Sequence, residues 1–276
     1  MIEFTYKDLQ VVYEDNHIIV VLKPQGVPSQ SDKTNDVDML SVVKEYIKVK
    51  ANKPGNVYVG LVHRLDRPTG GVMVFAKTSK AAARLSEQFK NKDSGECEKE
   101  YFCITCGVPK EKTKRLVHYL KKNERTNVSE IATLTTTGAQ EAILDYEVKQ
   151  VVGDYALCKV KIETGRHHQI RAQMAAIGCP ISGDSKYGAR AESLTRPLAL
   201  WAVKLTITHP TEKDRRTFIV YPPTNTEKLR LNLTNETAQT AINMAKNHIE
   251  KLLKEDRNLH IRYINESIEA LKGIDL

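Results

Sequence analysis

The sequence predicts an α+β fold built on a mixed, mainly antiparallel β-sheet with flanking helices. Segments of strand length that are apolar or alternating outnumber segments with helical periodicity, and the helical ones occur singly among them. Two predicted strands in AILDYEVKQVVGDYALCKVKIETG meet at Gly153-Asp154, a typical hairpin signal. No regular β-α-β repeat is present, so a parallel α/β fold is not expected.

The N-terminal part begins with two predicted strands in VVYEDNHIIVVLKPQGVPSQ, joined by a turn at Asp15-Asn16 and ended by Pro24. A short helix is expected over residues 40–48. The apolar run GVMVFAK predicts a buried strand. The next segment, SKAAARLSEQFKNK, predicts a helix with Ser79 as its N-cap, because its apolar residues recur at helical spacing.

Strands and one helix continue to the last prolines. KEYFCITCGV, LALWAVKLTITHP and RRTFIVYPP predict strands, and HHQIRAQMAAIG predicts a helix that ends at Gly178. Residues 226–276 lack proline and show two helical apolar stripes. We therefore expect an α+β domain over residues 1–225 and a helical C-terminal extension over residues 226–276. The extension is either a packed helical hairpin or a partner-binding segment.

The charge balance favours an anionic partner. The 276-residue chain has a formal charge of +8, and the whole excess lies in residues 1–225. Nucleic acid is the commonest polyanion, although a positive charge also serves solubility. No signal peptide opens the chain and no apolar run has transmembrane length. A cytoplasmic protein with no membrane contact and with free cysteine thiols is therefore expected.

Two motifs resemble metal ligands, and neither is persuasive. CITC, from Cys103 to Cys106, has C-x-x-C spacing, but it lies in a strand pattern and has no second pair. His167 and His168 are adjacent, and adjacent side chains on a helix diverge by about 100°, so they cannot chelate one ion together. We therefore expect no metal site.

Asp66 lies between Arg64 and Arg67 in HRLDRPTGG, just before a predicted buried strand. In an extended segment Arg64 and Asp66 point to one side, while Leu65 points to the other, toward a core. The neighbouring guanidinium charge favours the carboxylate form, which can act as a nucleophile or base. From these residues alone, a purely structural ion pair is the commoner interpretation.

Two further groups of residues have both a functional and a structural interpretation. Arg166, His168 and Arg171 cluster at the start of a predicted helix, where arginines suit phosphate contacts. The alternative is a solvated basic surface. Tyr101 in KEYFCITCG is either packing within a strand or a platform on which a nucleobase stacks.

Four separated stretches together resemble the RluA-type pseudouridine synthases, which isomerise uridine in RNA. They are VVYEDNHIIVVLKPQGVP, HRLDRPTGGVMVFAK, KEYFCITCG, and ETGRHHQIRAQMAAIGCPISGDSKYGA with the following PLALWAVKLTITHP. The resemblance runs from about Val11 to Pro222. It implies a pseudouridine-synthase fold with an RNA cleft in residues 1–225, and it implies no cofactor and no metal.

The resemblance also implies roles for three catalytic residues. Asp66 would be the catalytic aspartate that attacks a flipped-out uridine. Arg171 would be its ion-pair partner, and this pair would keep the carboxylate ionised. Tyr101 would stack on the target uracil and serve in proton removal.

Five other residues are expected to bind the substrate. Arg64 would fill the space that the flipped base leaves in the RNA stack, and Leu198 would close the apolar side of the pocket. Arg166 and His168 belong to the basic cluster, and Arg67 would contact phosphate or the protein surface.

The chain departs from the family pattern at several positions. Gly70 replaces the usual serine of a T-S-G step, and Pro68 is uncommon after the aspartate. His167 stands where threonine is frequent, and Gln173 where histidine is frequent. None of these replaces Asp66 or the other catalytic positions, so they bear on loop geometry.

The resulting prediction is an RNA pseudouridine synthase that acts as a monomer on structured RNA, either ribosomal RNA or transfer RNA. The first alternative is an RNA-binding assembly factor of the same fold with little catalysis. A metal-dependent nuclease or deaminase that uses His167, His168 and the cysteines is a second alternative, but a deaminase set of Cys, His and Glu at the required spacing is missing.

Overall fold

A computed structural model describes residues 4–32, 34, 36–52, 55–91, 95–188 and 196–223. The chain divides into two units, Met1–Pro222 and Pro223–Leu276, and the fold below is that of the first. The predicted helical extension at residues 226–276 lies outside the described residues, so the domain assignment stays a prediction.

One sheet contains all of the strands in the described part of the chain. Its order is β1-β2-β4-β10-β5-β9-β8-β6-β7, with β3 beside β4 and β11 beside β10. Strands β4 and β10 run parallel, and the other pairs are antiparallel, which confirms the predicted mixed sheet. The strands are β1 (Val11–Glu14), β2 (Ile18–Lys23), β3 (Gly60–Leu61), β4 (Gly70–Ala76), β5 (Glu98–Cys106), β6 (Thr113–Asn123), β7 (Val128–Ala132), β8 (Gln140–Val152), β9 (Tyr155–Ile162), β10 (Leu200–Thr208) and β11 (Arg215–Ile219).

Three α-helices accompany the sheet in the described part: α1 (Met39–Lys50), α2 (Ser79–Lys90) and α3 (Gln169–Ala176). The N-cap of α2 is Thr78 and not the predicted Ser79, because the hydroxyl of Thr78 accepts the N–H of Ala81 at 3.2 Å. None of the described helices combines the length and the apolar character needed to cross a lipid bilayer.

The central strands are buried on both faces. Ile19, Val21, Met73 and Phe75 belong to the core shared with α1 and α3. The alternate residues of β2 and β4 form a second core with Ala81 and Leu85 of α2. Strands covered on both sides read as continuous apolar runs, and this explains why GVMVFAK was recognisable in the sequence.

The β6–β7 hairpin was not predicted. In β6 only Leu116 and Leu120 are buried, and Lys114, Arg115, Lys121 and Lys122 occupy exposed positions on either side of them. A strand with one solvated face and few apolar residues leaves a weak periodic signal. The hairpin nevertheless matters, because β7 contacts the segment that precedes α3.

Candidate active site

Asp66 lies in a tight turn between β3 and β4. The N–H of Thr69 donates to the carbonyl of Asp66 at 2.9 Å. The hydroxyl of Ser29 accepts the N–H of Leu65 at 3.1 Å and donates to the carbonyl of Leu65 at 2.7 Å. Leu65 is buried, as predicted. These bonds anchor the turn to the loop after β2 and leave the Asp66 side chain 28% exposed.

Lys23, at the end of β2, binds the backbone of the same turn through its side chain. Its ammonium donates to the carbonyls of Pro24, Arg67 and Thr69 at 3.0, 3.1 and 2.7 Å, which uses all three of its donors. Burial lowers the pKa of Lys23 to about 7, although the charge of Asp66 acts to raise it. Sequence reasoning did not select Lys23, and its only signal was a charged residue at the end of an apolar strand.

Arg171 of α3 lies between two carboxylates. Asp184 accepts from its Nε and Nη2 at 2.8 and 2.7 Å, and Nη1 lies 3.7 Å from Oδ2 of Asp66. Burial raises the pKa of Asp66, and the charges of Arg171 and Lys23 oppose that shift. The guanidinium is therefore held in place by Asp184 and stabilises the charged form of Asp66.

Tyr101 of β5 lies in the core beside this carboxylate. It is 8% exposed and belongs to the apolar cluster that contains Leu65 and Leu198. Burial and, to a smaller extent, the charge of Asp66 raise the pKa of Tyr101 above the ordinary tyrosine range. The phenol is therefore neutral, and it offers a ring face and an O–H group.

Leu198 is joined to the Asp66 turn through Gln25. The Gln25 side-chain amide donates to the carbonyl of Leu198 at 2.6 Å and to that of Pro68 at 3.0 Å. Leu198 is itself buried. The Gln25 amide thus links the backbone of Leu198 to the Asp66 turn. The leucine side chain lies in the same apolar cluster as Tyr101.

The remaining predicted arginines occupy three different environments. Arg64 is exposed. Arg67 binds its own loop: it donates to the carbonyl of Gly26 at 3.0 Å, and it forms an ion pair with Asp36. Arg166 is exposed, and its Nε donates to the backbone carbonyl of Glu141 at 2.8 Å. The positive charges that act on Asp66 therefore come from Arg171 of α3 and Lys23 of β2, and not from the arginines beside it in the sequence.

The two adjacent histidines do not diverge. Helix α3 begins at Gln169, after both of them, and His168 has a left-handed backbone with φ 51°. Their rings therefore stack with centroids 3.8 Å apart, so the helical geometry expected for this pair was wrong. The Nε2 of His168 lies 3.8 Å from Oδ2 of Asp66. His168 thus contacts the candidate catalytic carboxylate.

His63 and Lys99 both contact the ring of Phe89. The Nε2 of His63 accepts the N–H of Val74 at 3.0 Å, its ring stacks on Phe89 at 4.6 Å, and burial lowers its pKa to about 3. The Lys99 ammonium lies over the same Phe89 ring, 5.7 Å from the centroid, and burial lowers its pKa. The Nζ of Lys99 lies 3.7 Å from the position that a Cβ on Gly165 would occupy, so Lys99 lies close to the segment that precedes α3.

One group of side chains in the described part has the spacing of metal ligands: Asp15, His209 and Glu212. The Nδ1 of His209 accepts the N–H of Glu212 at 2.9 Å, so its Nε2 carries the proton and faces Asp15 at 2.9 Å. Arg216 already neutralises these carboxylates. The group is therefore a structural ion-pair network. Cys103 and Cys106 are three residues apart on strand β5, a separation that places side chains on opposite faces of the sheet. Both are free thiols.

Comparison with known proteins identifies the family of this chain. The family model described as RNA pseudouridylate synthase matches residues 17–176. A dual-specificity RNA pseudouridine synthase RluA of Escherichia coli is 34% identical over 215 residues, which cover 76% of this chain and 91% of the relative. An RNA pseudouridine synthase of Aquifex aeolicus is 31% identical over 235 residues, 78% of this chain and 70% of the relative.

Solved structures show the same fold. Human RNA pseudouridylate synthase domain-containing protein 4 superposes with a TM-score of 0.66 at 21% identity, over 81% of this chain and 91% of that one. The human domain-containing protein 1 gives 0.63 at 22% identity, over 88% and 97%. Together with the family match and the two bacterial relatives, these likenesses show that the chain belongs to the RluA-type family of RNA pseudouridine synthases, isomerases that act on RNA.

Proposed function

We propose that this isomerase converts specific uridines of structured RNA to pseudouridine with Asp66 as the catalytic carboxylate. The observation that carries the proposal is the buried arrangement in which Arg171, held by Asp184, faces Asp66 at 3.7 Å. The Arg171 charge favours the ionised form of a carboxylate in that position, and the fixed guanidinium preorganises the site. Attack on the sugar, attack on the base and removal of a sugar proton all require this charged form.

The isomerisation needs an extrahelical uridine. The glycosidic bond from C1′ to N1 breaks, C1′ bonds to C5, the hydrogen at C5 leaves as a proton, and N1 gains a proton. Flipping a base out of the stack costs a few kcal/mol. Arg64, which is exposed near Asp66 in the chain, would fill the vacated space. Tyr101 would stack on the uracil, and Leu198 would line the apolar wall.

Proton removal from C5 suits Tyr101 less well than stacking does. Burial and the charge of Asp66 raise its pKa, so the phenolate that a base would require is disfavoured. The neutral phenol can instead stack on uracil and donate a hydrogen bond.

RNA affinity would come from cations without an acidic partner. Arg64, Lys99 and Arg166 have no carboxylate partner among the described residues, whereas Arg67 is occupied by its own loop. Such cations bind phosphates with a strong dependence on salt. The substrate would be ribosomal or transfer RNA. A relative in Rickettsia prowazekii is a ribosomal large subunit pseudouridine synthase, 33% identical over 179 residues.

Residues 1–225 would form the catalytic domain and residues 226–276 a helical extension, in a cytoplasmic monomer that needs no metal and no cofactor. These remain predictions.

Tritium release tests the proposal directly. Transcripts that carry uridine tritiated at C5 would be incubated with the protein, both with and without a chelator. We expect the wild type to release tritium, and we expect Asp66→Ala and Asp66→Asn to release none while they still bind RNA. Release by either variant would exclude Asp66 as the catalytic group. Binding without release by the wild type on any cellular RNA would favour an assembly factor, and chelator-sensitive strand cleavage would favour a metallonuclease.

A further inference from the structure

His168 is held in an uncommon backbone conformation at the edge of the site. Its φ of 51° lies in the left-handed region, directly before α3. Residues other than glycine rarely adopt it, and they do so where the surroundings hold them. The side chain is 7% exposed, so the conformation places an imidazole ring inside the protein.

Tyr187 and Ser129 determine which ring nitrogen carries the proton. The N–H of Ser129 donates to the Tyr187 hydroxyl at 2.7 Å, and that hydroxyl lies 3.0 Å from Nδ1 of His168. A phenol that accepts the backbone proton is free to donate its own hydrogen to Nδ1. In this arrangement Nδ1 accepts, and the proton of the neutral ring resides on Nε2.

The His167 ring fixes the plane of the His168 ring. The two stack at 3.8 Å, and His167 is itself bound to the Ser129 hydroxyl through Nδ1 at 2.9 Å and its carbonyl at 2.6 Å. Strand β7 thus anchors both histidines through one serine.

The protonated nitrogen faces the catalytic carboxylate. Nε2 of His168 lies 3.8 Å from Oδ2 of Asp66, and Nη1 of Arg171 lies 3.7 Å from the same oxygen. These distances are longer than hydrogen bonds, and catalytic contacts often tighten when substrate binds. Oδ2 is the Asp66 oxygen that lies nearest to both donors.

We propose that His168 is a positioning residue for Asp66: its neutral N–H and the Arg171 guanidinium hold Oδ2 and leave Oδ1 to react. This rests on the proposed function of Asp66. It also revises the expectation that His168 binds the substrate. Contacts run without a break from Ser129 through Tyr187 and His168 to Asp66.

The neutral state of the ring is maintained by its surroundings. Burial lowers the pKa of His168 to about 2, and the positive charges of Arg171, Lys186 and Lys122 act in the same direction, as does His167. Asp66 is the acidic group that faces it. A neutral donor orients the carboxylate without the second full charge that would make it a weaker nucleophile.

His168→Asn is the direct test, because asparagine tolerates the left-handed backbone but its shorter amide does not reach Asp66. We expect the single-turnover rate of tritium release to fall about 10- to 100-fold while the Kd for RNA changes less than about twofold. His17→Asn, the same substitution outside the site, serves as the matched control and should retain the wild-type rate.

The pKa of Asp66 provides a readout that loss of packing would not move in this way. Carbon-13 NMR of the Asp66 carboxyl, assigned with Asp66→Asn, should show a higher pKa in His168→Asn, because a donor to the charged form is lost. The acid limb of the rate profile should move to higher pH with it. An unchanged rate and an unchanged Asp66 pKa would overturn the proposal.

Tyr187→Phe keeps the ring and removes one oxygen, so it tests the relay if His168→Asn fails to fold. We expect a smaller change of the same sign in rate and in Asp66 pKa, and little further effect in the double variant, because the two residues act through one contact. Additive rate losses would contradict the relay. If the wild type releases no tritium, the proposed function fails, while the carboxyl titration still decides whether His168 contacts Asp66.

Discussion

Asp184 holds Arg171 through two hydrogen bonds of 2.8 and 2.7 Å, and both side chains are almost completely buried. This pair orients the guanidinium whose third nitrogen faces Asp66. The anion that positions Arg171 is therefore distinct from the carboxylate that would react. Because Asp66 does not have to bind the arginine tightly, one of its oxygens stays available for chemistry.

Asp184→Asn should destabilise the fold strongly. The substitution retains the shape of the side chain but leaves the Arg171 charge buried beside a weaker acceptor, a change that costs about 3–5 kcal/mol when a buried pair is broken. Urea unfolding measures it. Asp214→Asn is the matched control, because Asp214 pairs with Arg216 at an exposed position, where such pairs contribute about 1 kcal/mol or less. Equal effects would contradict the structural role of Asp184.

In Lys23→Met, the free energy of unfolding should vary less between pH 7 and 10 than it does in the wild type. The pKa of Lys23 is about 7 in the folded protein and about 10.4 in the unfolded chain. Above the unfolded-state pKa the side chain is neutral in both states, and its contribution to stability is fully present. That contribution is lost as pH falls through 7. The wild-type free energy of unfolding should therefore rise relative to Lys23→Met by up to about 1.4 kcal/mol per pH unit between pH 7 and 10.

Chemical denaturation at pH 7, 8 and 9 provides the comparison for Lys23. The variant should also be less stable at every pH, because the carbonyls of Pro24, Arg67 and Thr69 lose their donor. A stability difference that does not change with pH would mean that Lys23 stays charged in the folded protein throughout this range.

Gly70→Ser, which would restore the usual family residue, should destabilise this chain. A Cβ on Gly70 would lie 2.2 Å from Cζ3 of Trp201, and that ring is held by a 2.8 Å hydrogen bond to the carbonyl of Val220. Overpacking of this kind costs about 1–3 kcal/mol. Trp201→Leu in the same background should recover part of the loss.

Thermal or urea unfolding checks the Gly70 prediction, with Gly55→Ser as the control. A Cβ on Gly55 meets no atom within 4 Å, so that variant should match the wild type. If Trp201→Leu worsened Gly70→Ser as much as it worsens the wild type, the proposed clash between the two residues would be wrong.

Arg166→Gln should weaken RNA binding and reduce its salt dependence. Arg166 is exposed and has no ion-pair partner among the described residues, so it is available for a phosphate. The slope of log K against log salt should become shallower by about 1, as measured by fluorescence anisotropy. Lys50→Gln is the control, because Lys50 is already paired with Glu14 at 2.6 Å. An unchanged slope would remove Arg166 from the interface.

The local pattern of apolar and polar residues was enough to predict most of the strands and helices. Strands buried on both faces, such as β4, give continuous apolar runs, and the β8–β9 hairpin is marked by Gly153-Asp154 at its turn. The β6–β7 hairpin escaped because its charged, solvated face hides the alternation. Helix α3 starts later than predicted because the left-handed His168 interrupts the helical backbone, and periodicity cannot reveal a single backbone angle.

The sequence by itself determined the fold class, the family resemblance and the position of Asp66 before a buried strand, because these depend on the order of residues and on local spacing. Only the tertiary structure decided which charges meet. Arg64 and Arg67 flank Asp66 in the chain, yet Arg171, Lys23 and His168 surround it in space. Electrostatic interactions depend on distance and burial after folding, and neither can be deduced from separation along the chain.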